Sequence, residues 1–173
     1  MIRQASAADL NGVEEGYKKH FSYEKKYGAF TVFKEGVYPT RQHAEKALSH
    51  GELYVYEKDK IIAGSMILTK TQPEEYKNID WSIRAAANRV MVINLIMVRP
   101  DMAGNGIGSS LVCFAARTAK HNSCEVLRLH TRLQNIPAVS LYKKLGFLLA
   151  GSAEMNVGGV ISHVSHLFFE KLL

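Results

Sequence analysis

The segment that most constrains this chain is Val90 to Leu111, VMVINLIMVRPDMAGNGIGSSL. Its first nine residues, Val90 to Val98, are too few to span a bilayer and too apolar for an exposed strand, so they predict a buried strand. Arg99-Pro100-Asp101 ends that ladder, because Pro donates no N–H and restricts the residue before it. Ala103-Gly104-Asn105-Gly106-Ile107-Gly108 follows, with glycines at alternate positions. It opens a helix that carries Ile107, Leu111, Phe114, Ala115 and Thr118 on one face. A strand, a glycine turn and a helix N-terminus make an anion site: N–H groups point outward, the dipole favours negative charge, and missing Cβ atoms allow close approach. The arrangement predicts a phosphate-bearing ligand. It is not a P-loop, since no Gly-Lys-Ser/Thr follows. It also departs from the dinucleotide fingerprint, whose third glycine comes one place later and which needs an acid about twenty residues on.

At 173 residues the chain predicts a single domain, residues 1–173, with a core large enough to stand without staples. The N-terminus, MIRQASAADL, has no apolar h-region, which argues against secretion by that route. Two cysteines, Cys113 and Cys124, fit free thiols in a cytoplasmic setting better than a disulfide framework. The formal charge of +6 favours solubility first and a polyanionic ligand second. No run of five basic residues occurs and aromatics do not interleave with basics, so nucleic acid is the weaker expectation. No residue set has metal-ligand spacing. His163 and His166, three apart on a strand, point to opposite faces by period-2 alternation and make no chelating pair.

In order, Ile2 to Ala5 reads as a short strand, and Ser6 with Asp9 as a capping box for a helix through Leu10, Val13 and Tyr17 to about His20. Tyr23 to Tyr38 has aromatics without clean periodicity. Thr40 caps a second helix closed by Gly51. Leu53 to Glu57 and Ile61 to Thr69 form strands about a turn at Lys58-Asp59. The polar connection from Lys70 to Asn88, with the only Trp, Trp81, is long enough to be functional or mobile. Val126 to Thr131 is a further strand. Asn135 caps a helix with Pro137 in its first turn, an apolar face of Ala138, Leu141 and Leu145, and Gly146 at its close. Phe147 to Met155 and Val160 to Leu167 pair about Gly158-Gly159. Helices alternating with strands early and hairpins at the ends give a mixed sheet in an α/β (α+β) layered fold.

VRPDMAGNGIGSSLV and, some thirty residues later, LRLHTRLQNIPAVSLYKKLGF together resemble the GCN5-related N-acetyltransferase (GNAT) superfamily. The Asn-x-x-Ala-x-x-Leu-Tyr-x-Lys-x-Gly-Phe helix of that family stands complete as Asn135, Ala138, Leu141, Tyr142, Lys144, Gly146 and Phe147. LFFEKL, from Leu167, looks like its last strand. The resemblance implies a mostly antiparallel central sheet of six or seven strands flanked by about four helices. It implies acetyl-CoA as acyl donor, no metal, an amine acceptor of small-molecule or peptide origin, and direct transfer. It admits a homodimer. CoA's pyrophosphate would lie on Ala103, Gly104, Asn105, Gly106, Ile107, Gly108 and Ser109. Its pantetheine arm would lie along Ile96, Met97 and Val98, with Asn135 and Tyr142 beside it. One position departs from the family: Ala103 stands where its loop begins with Gln or Arg, and Arg99 or Arg132 is the available substitute cation.

In that setting the N–H of Val98 would hold the thioester oxygen as it gains charge, and the phenol of Tyr142 would protonate the leaving thiolate. The general base is less legible. Asn94 occupies the strand position of a proton acceptor and is a poor one. His130 is the candidate, since an unperturbed imidazole titrates near neutrality. Glu74, Glu75 and Asp80 are alternatives that could reach in from the long connection, and the aromatics of residues 23–38 could shape an acceptor pocket. The alternative to an enzyme is a catalytically weak or inactive acyl-CoA-binding regulatory module, favoured by Ala103 and the missing strand carboxylate.

Overall fold

The computed structural model describes all residues 1–173. Seven strands form one sheet: β1 (Ile2–Gln4), β2 (Leu53–Lys58), β3 (Ile61–Thr69), β4 (Val90–Val98), β5 (Val126–Arg132), β6 (Leu148–Val157) and β7 (Ile161–Leu172). Their order is β1-β2-β3-β4-β5-β7-β6, antiparallel throughout except for the parallel pair β4–β5. Helices α1 (Leu10–Tyr27) and α2 (Arg41–Ser49) cover one face, and α3 (Ile107–His121) and α4 (Ile136–Lys144) the other. This is the mixed, mostly antiparallel sheet with four helices that the sequence predicts. No helix is long and apolar enough to cross a membrane.

The expected boundaries shift where polar residues occupy buried positions. Helix α1 runs on to Tyr27, beyond His20, and Gly28 at φ 98° ends it. Its buried stripe, Leu10, Val13, Tyr17, His20 and Glu24, keeps helical spacing, but two of its members are polar and so hide the pattern. The β2–β3 turn is Asp59-Lys60, both with positive φ, one residue later than expected. The buried face of α4 centres on Val139 and Tyr142, leaving Ala138, Leu141 and Leu145 half-buried. On α3, Val112 and Ala119 join Ile107, Leu111 and Ala115 in the core, while Phe114 and Thr118 lie at its edge.

The connection from Lys70 to Asn88 is anchored. Tyr76 and Ile79 are buried in it, and Trp81 donates its indole N–H to the Tyr76 carbonyl at 2.8 Å. Glu170, a fully buried carboxylate on β7, accepts the N–H groups of Ser82 at 2.7 Å and Ile83 at 3.1 Å. Its cross-strand partner Arg128 lies 4.0 Å from the Trp81 ring and donates to Gln72 at 2.9 Å and to the Ile83 carbonyl at 3.1 Å. A charge amid the apolar run of β7 therefore anchors a loop.

Two bulges set the geometry of the centre. Ile67 pairs with Leu95 but Leu68 with Ile93, so Asn94 is an extra residue in β4. The side-chain alternation flips there: Val90 and Val92 face the α1–α2 core, as do Leu95 and Met97. Pairing of β4 with β5 ends at Ile93–Leu129, immediately before the bulge. In β7, His163 pairs with Met155 and His166 with Ala153, so two residues of β7 oppose one of β6. The extra residue brings His163 and His166 to the same face, their rings 5.2 Å apart, which corrects the expectation that they diverge.

A candidate functional site in the opened seam

Beyond Ile93 the two central strands separate and leave a cleft of about 720 Å³. Residues Ile93 to Val98 form one wall, and His130 to Arg132 with α4 form the other. The Arg99 N–H bonds the Ala63 carbonyl at 2.9 Å, so Met97 also faces β3, while the N–H groups of Ile96 and Val98 point away from it, into the opened seam. Those donors have lost the strand that would have paired with them.

At the end of that wall the chain turns through Gly104 (φ 81°) and Gly106 (φ 71°) into α3. Left-handed backbone at both points is cheap only for glycine. The first bond of α3 runs from the Ser110 N–H to the Gly106 carbonyl at 2.9 Å. The N–H groups of Ile107, Gly108 and Ser109 are therefore free of the helix ladder and form its positive end. The Ile107 side chain is buried in the core, so its backbone alone is offered. Ala103 and Gly108 line the cleft, whereas the Asn105 amide folds back onto the Met102 carbonyl at 3.0 Å. Neither candidate cation is turned to the glycine turn. Arg99 is paired with Asp101 at 2.7 Å, and Asp101 with Lys19 at 3.1 Å. Arg132 is tied to the opposite side, donating to the Thr31 carbonyl at 2.9 Å.

Helix α4 supplies the facing group. Asn135 accepts the Ala138 N–H at 3.4 Å and donates to the Thr131 hydroxyl at 3.2 Å, which fixes the start of the helix. Two turns on, Tyr142 is wedged against Phe147 and Phe169, with ring centroids 5.7 and 5.9 Å away. Its hydroxyl lines the cleft without a hydrogen-bond partner in the protein, and burial pushes its pKa above the usual value of 10. Tyr142 is thus a protonated donor at neutral pH.

The far side is built from side chains that lie apart in sequence. Glu24 accepts the N–H groups of Phe30 at 3.0 Å and Thr31 at 2.7 Å, and His20 lies 3.2 Å from the Thr31 hydroxyl. This clasp holds the segment after α1 over the cleft, where Tyr23, Tyr27, Phe30 and Phe33 line it. Tyr38 is buried in the core instead. Sequence reasoning missed His20 and Glu24. Their spacing on the α1 stripe was the available signal.

His130 lines the cleft. Burial first, and then the nearby His166, push its pKa down to about 3. Its Nδ1 lies 3.0 Å from the Tyr76 hydroxyl. That phenol makes no other hydrogen bond and burial keeps it protonated, so we assign it as the donor, which leaves the His130 ring proton on Nε2. Glu74, Glu75 and Asp80 do not line the cleft: Glu74 pairs with Lys77, and Glu75 accepts the Asn156 N–H at 3.2 Å. Asn94 lines it, at the bulge.

The model of the acetyltransferase (GNAT) family matches residues 18–147. Over 64 residues the chain is 38% identical to streptothricin acetyltransferase of Escherichia coli, a match covering 37% of this chain and 37% of that one. An acetyltransferase of the GNAT family from Streptococcus agalactiae 2603 superposes with a TM-score of 0.81 at 18% identity, over 100% of this chain and 95% of the other. The protein yncA from Salmonella typhimurium, solved with its cofactor acetyl-CoA, superposes with a TM-score of 0.69 at 18% identity, over 100% and 93%. The chain spans between 18% and 61% of the length of the curated relatives it matches.

Proposed function

Because this chain belongs to the acetyltransferase (GNAT) family, we propose that it moves an acetyl group from acetyl-CoA to a primary amine by direct attack within a ternary complex. The observation that carries the reading is the seam itself. Unpaired strand N–H groups, the free N–H groups of a helix start and a partnerless phenol meet around one opening. Acetyl-CoA would supply the activated acyl group. The N–H groups of Ile107, Gly108 and Ser109 bind its pyrophosphate, and Ile96 and Val98 pair with its pantetheine arm. Binding therefore rests on backbone, consistent with Ala103 in place of a longer polar residue.

The Val98 N–H donates to the thioester oxygen as it gains charge. The amine lone pair forms the new C–N bond, the C–S bond breaks, and Tyr142 gives its proton to the departing sulfur. The nitrogen releases its surplus proton to water, and Tyr142 recovers one from solvent. The products are an amide and free CoA thiol. His130 keeps the cleft wall in place through Tyr76 and does not hold the amine's proton, so the acceptor enters as its free base. Two unpaired thiols, Cys113 and Cys124, fit a reducing cytoplasmic setting.

Thiol release from acetyl-CoA across a panel of amines tests the reaction. The expected result is amine-dependent release that rises about tenfold per pH unit below the amine's own pKa. A plateau starting near pH 6.5 would restore an imidazole base. The second reading, an acyl-CoA-binding module without turnover, is favoured by the absence of any Asp or Glu from the cleft lining. Tight acetyl-CoA binding with no thiol release would establish it.

A further inference from the structure

Granted that acetyl transfer, the charge distribution around the acceptor narrows the class of amine. The 30 residues lining the cleft include no Asp, Glu or Lys, and Arg132 is their one fixed charge. Arg132 ends β5 on the same sheet face as His130, beneath the segment after α1 and away from the glycine turn. Uncharged acceptors alone hold its guanidinium: Gln134 at 2.9 Å, the Thr31 carbonyl at 2.9 Å and the Ala29 carbonyl at 3.5 Å. Its Nη2 makes no hydrogen bond, and no carboxylate pairs with it. Arg3, Arg41, Arg89 and Arg99 are each bonded to a carboxylate, and the other two arginines without one, Arg84 and Arg117, are exposed and lie outside the cleft. A half-buried guanidinium held rigid with one edge unused is built to receive a planar anion.

We propose that the acceptor is an amine carrying its own anion, an amino carboxylate with an apolar or aromatic body, whose carboxylate pairs with Arg132. Tyr23, Tyr27, Phe30 and Phe33 form the apolar wall for that body. A polycationic amine finds no counter-charge in the cleft and meets Arg132. A peptide N-terminus, whose own carboxylate is an amide, leaves the guanidinium unpaired.

The test compares phenylalanine, phenylalaninamide, 2-phenylethylamine and spermidine as acceptors, with saturating acetyl-CoA and kcat/KM expressed per free-base amine. Phenylalanine should exceed its amide and 2-phenylethylamine by about tenfold or more, the scale of one charge-assisted contact, with spermidine poorest. Arg132→Gln should bring the phenylalanine-to-amide ratio to about one, and Arg132→Lys should keep part of it. A ratio is immune to a loss of folded enzyme. Acetyl-CoA affinity by calorimetry should be the same in all three proteins. A wild-type preference for the amide or spermidine, or a preference that survives Arg132→Gln, overturns the proposal. So does acetyl-CoA binding without turnover of any of the four. A drop in acetyl-CoA affinity in Arg132→Gln also overturns it, by giving the guanidinium to the donor. Failure of the wild type to bind acetyl-CoA instead defeats the acetyltransferase reading itself.

Discussion

The two sides of the cleft offer a ligand different kinds of group. On the proposed donor side these are backbone N–H groups, from Ile96, Val98 and the first turn of α3, plus one phenol. On the proposed acceptor side they are side chains gathered from α1, the segment after it, β5 and β7, with the β3–β4 connection packed behind them. Backbone donors at a bulge and a helix start suit a ligand whose polar parts are phosphate and amide, whatever side chains surround them. Side chains recruited from distant segments discriminate among small molecules, and each needs a partner to hold it. Glu24 clasps the residues after α1, and Glu170 with Arg128 clasps residues 72–83. One side is made by strand and helix geometry, the other by buried polar contacts.

The largest effect expected from this contrast lies on the donor side. Tyr142→Phe removes the proton donor while keeping the ring between Phe147 and Phe169. It should lower kcat by about a hundred- to ten-thousandfold and leave the acetyl-CoA dissociation constant nearly unchanged. Pre-steady-state thiol release with calorimetry separates the two, and an unchanged chemical step would remove Tyr142 from the mechanism.

On the acceptor side the corresponding blow falls on stability. Glu170→Ala leaves Arg128 buried without its carboxylate and frees the Ser82 and Ile83 N–H groups. Breaking such a buried pair typically costs about 3–5 kcal/mol. Chemical denaturation should show that loss, together with a raised acceptor KM and an unaltered donor affinity. Equal damage to both ligands would mean that the two sides are not separable.

The most gradual effect is a pH dependence confined to the proposed acceptor side. His20, His130 and His166 all have lowered pKa values, chiefly through burial, with His130 near 3 and His166 near 4. Above pH 6.5 these rings are neutral in both folded and unfolded chains and stability is full. As pH falls from 6.5 toward 4, the unfolded chain takes up protons that the folded one refuses. Stability should then decline by on the order of 1 kcal/mol per pH unit for each of His130 and His166. Hydrogen exchange between pH 7 and 5 should loosen residues 28–33 and 76–83 before residues 96–110. The reverse order would contradict the assignment.

Legibility in the sequence follows the same division. The strand from Val90 to Val98, the glycine turn and the Asn135-to-Phe147 helix are contiguous, so periodicity and capping residues displayed them directly. The acceptor side is assembled by tertiary contacts among residues up to 103 positions apart, as with Arg132 and Ala29. Period-2 alternation misplaced His163 and His166 because one extra residue in β7 reverses it. The connection that carries Trp81 read as functional or mobile, with no sign of an anchor, because the carboxylate that holds it lies on β7, 88 positions from the Ser82 N–H it accepts.

The central claim, that the opened seam and the glycine turn together seat acetyl-CoA, is tested most directly by backbone amide hydrogen exchange with and without that ligand. Protection is predicted at Ile96 and Val98 and at Ile107 to Ser109, with little change at residues 29–31 and 82–83 until an acceptor is added. Protection absent from both the strand and the helix start, or confined to the acceptor side, would contradict it.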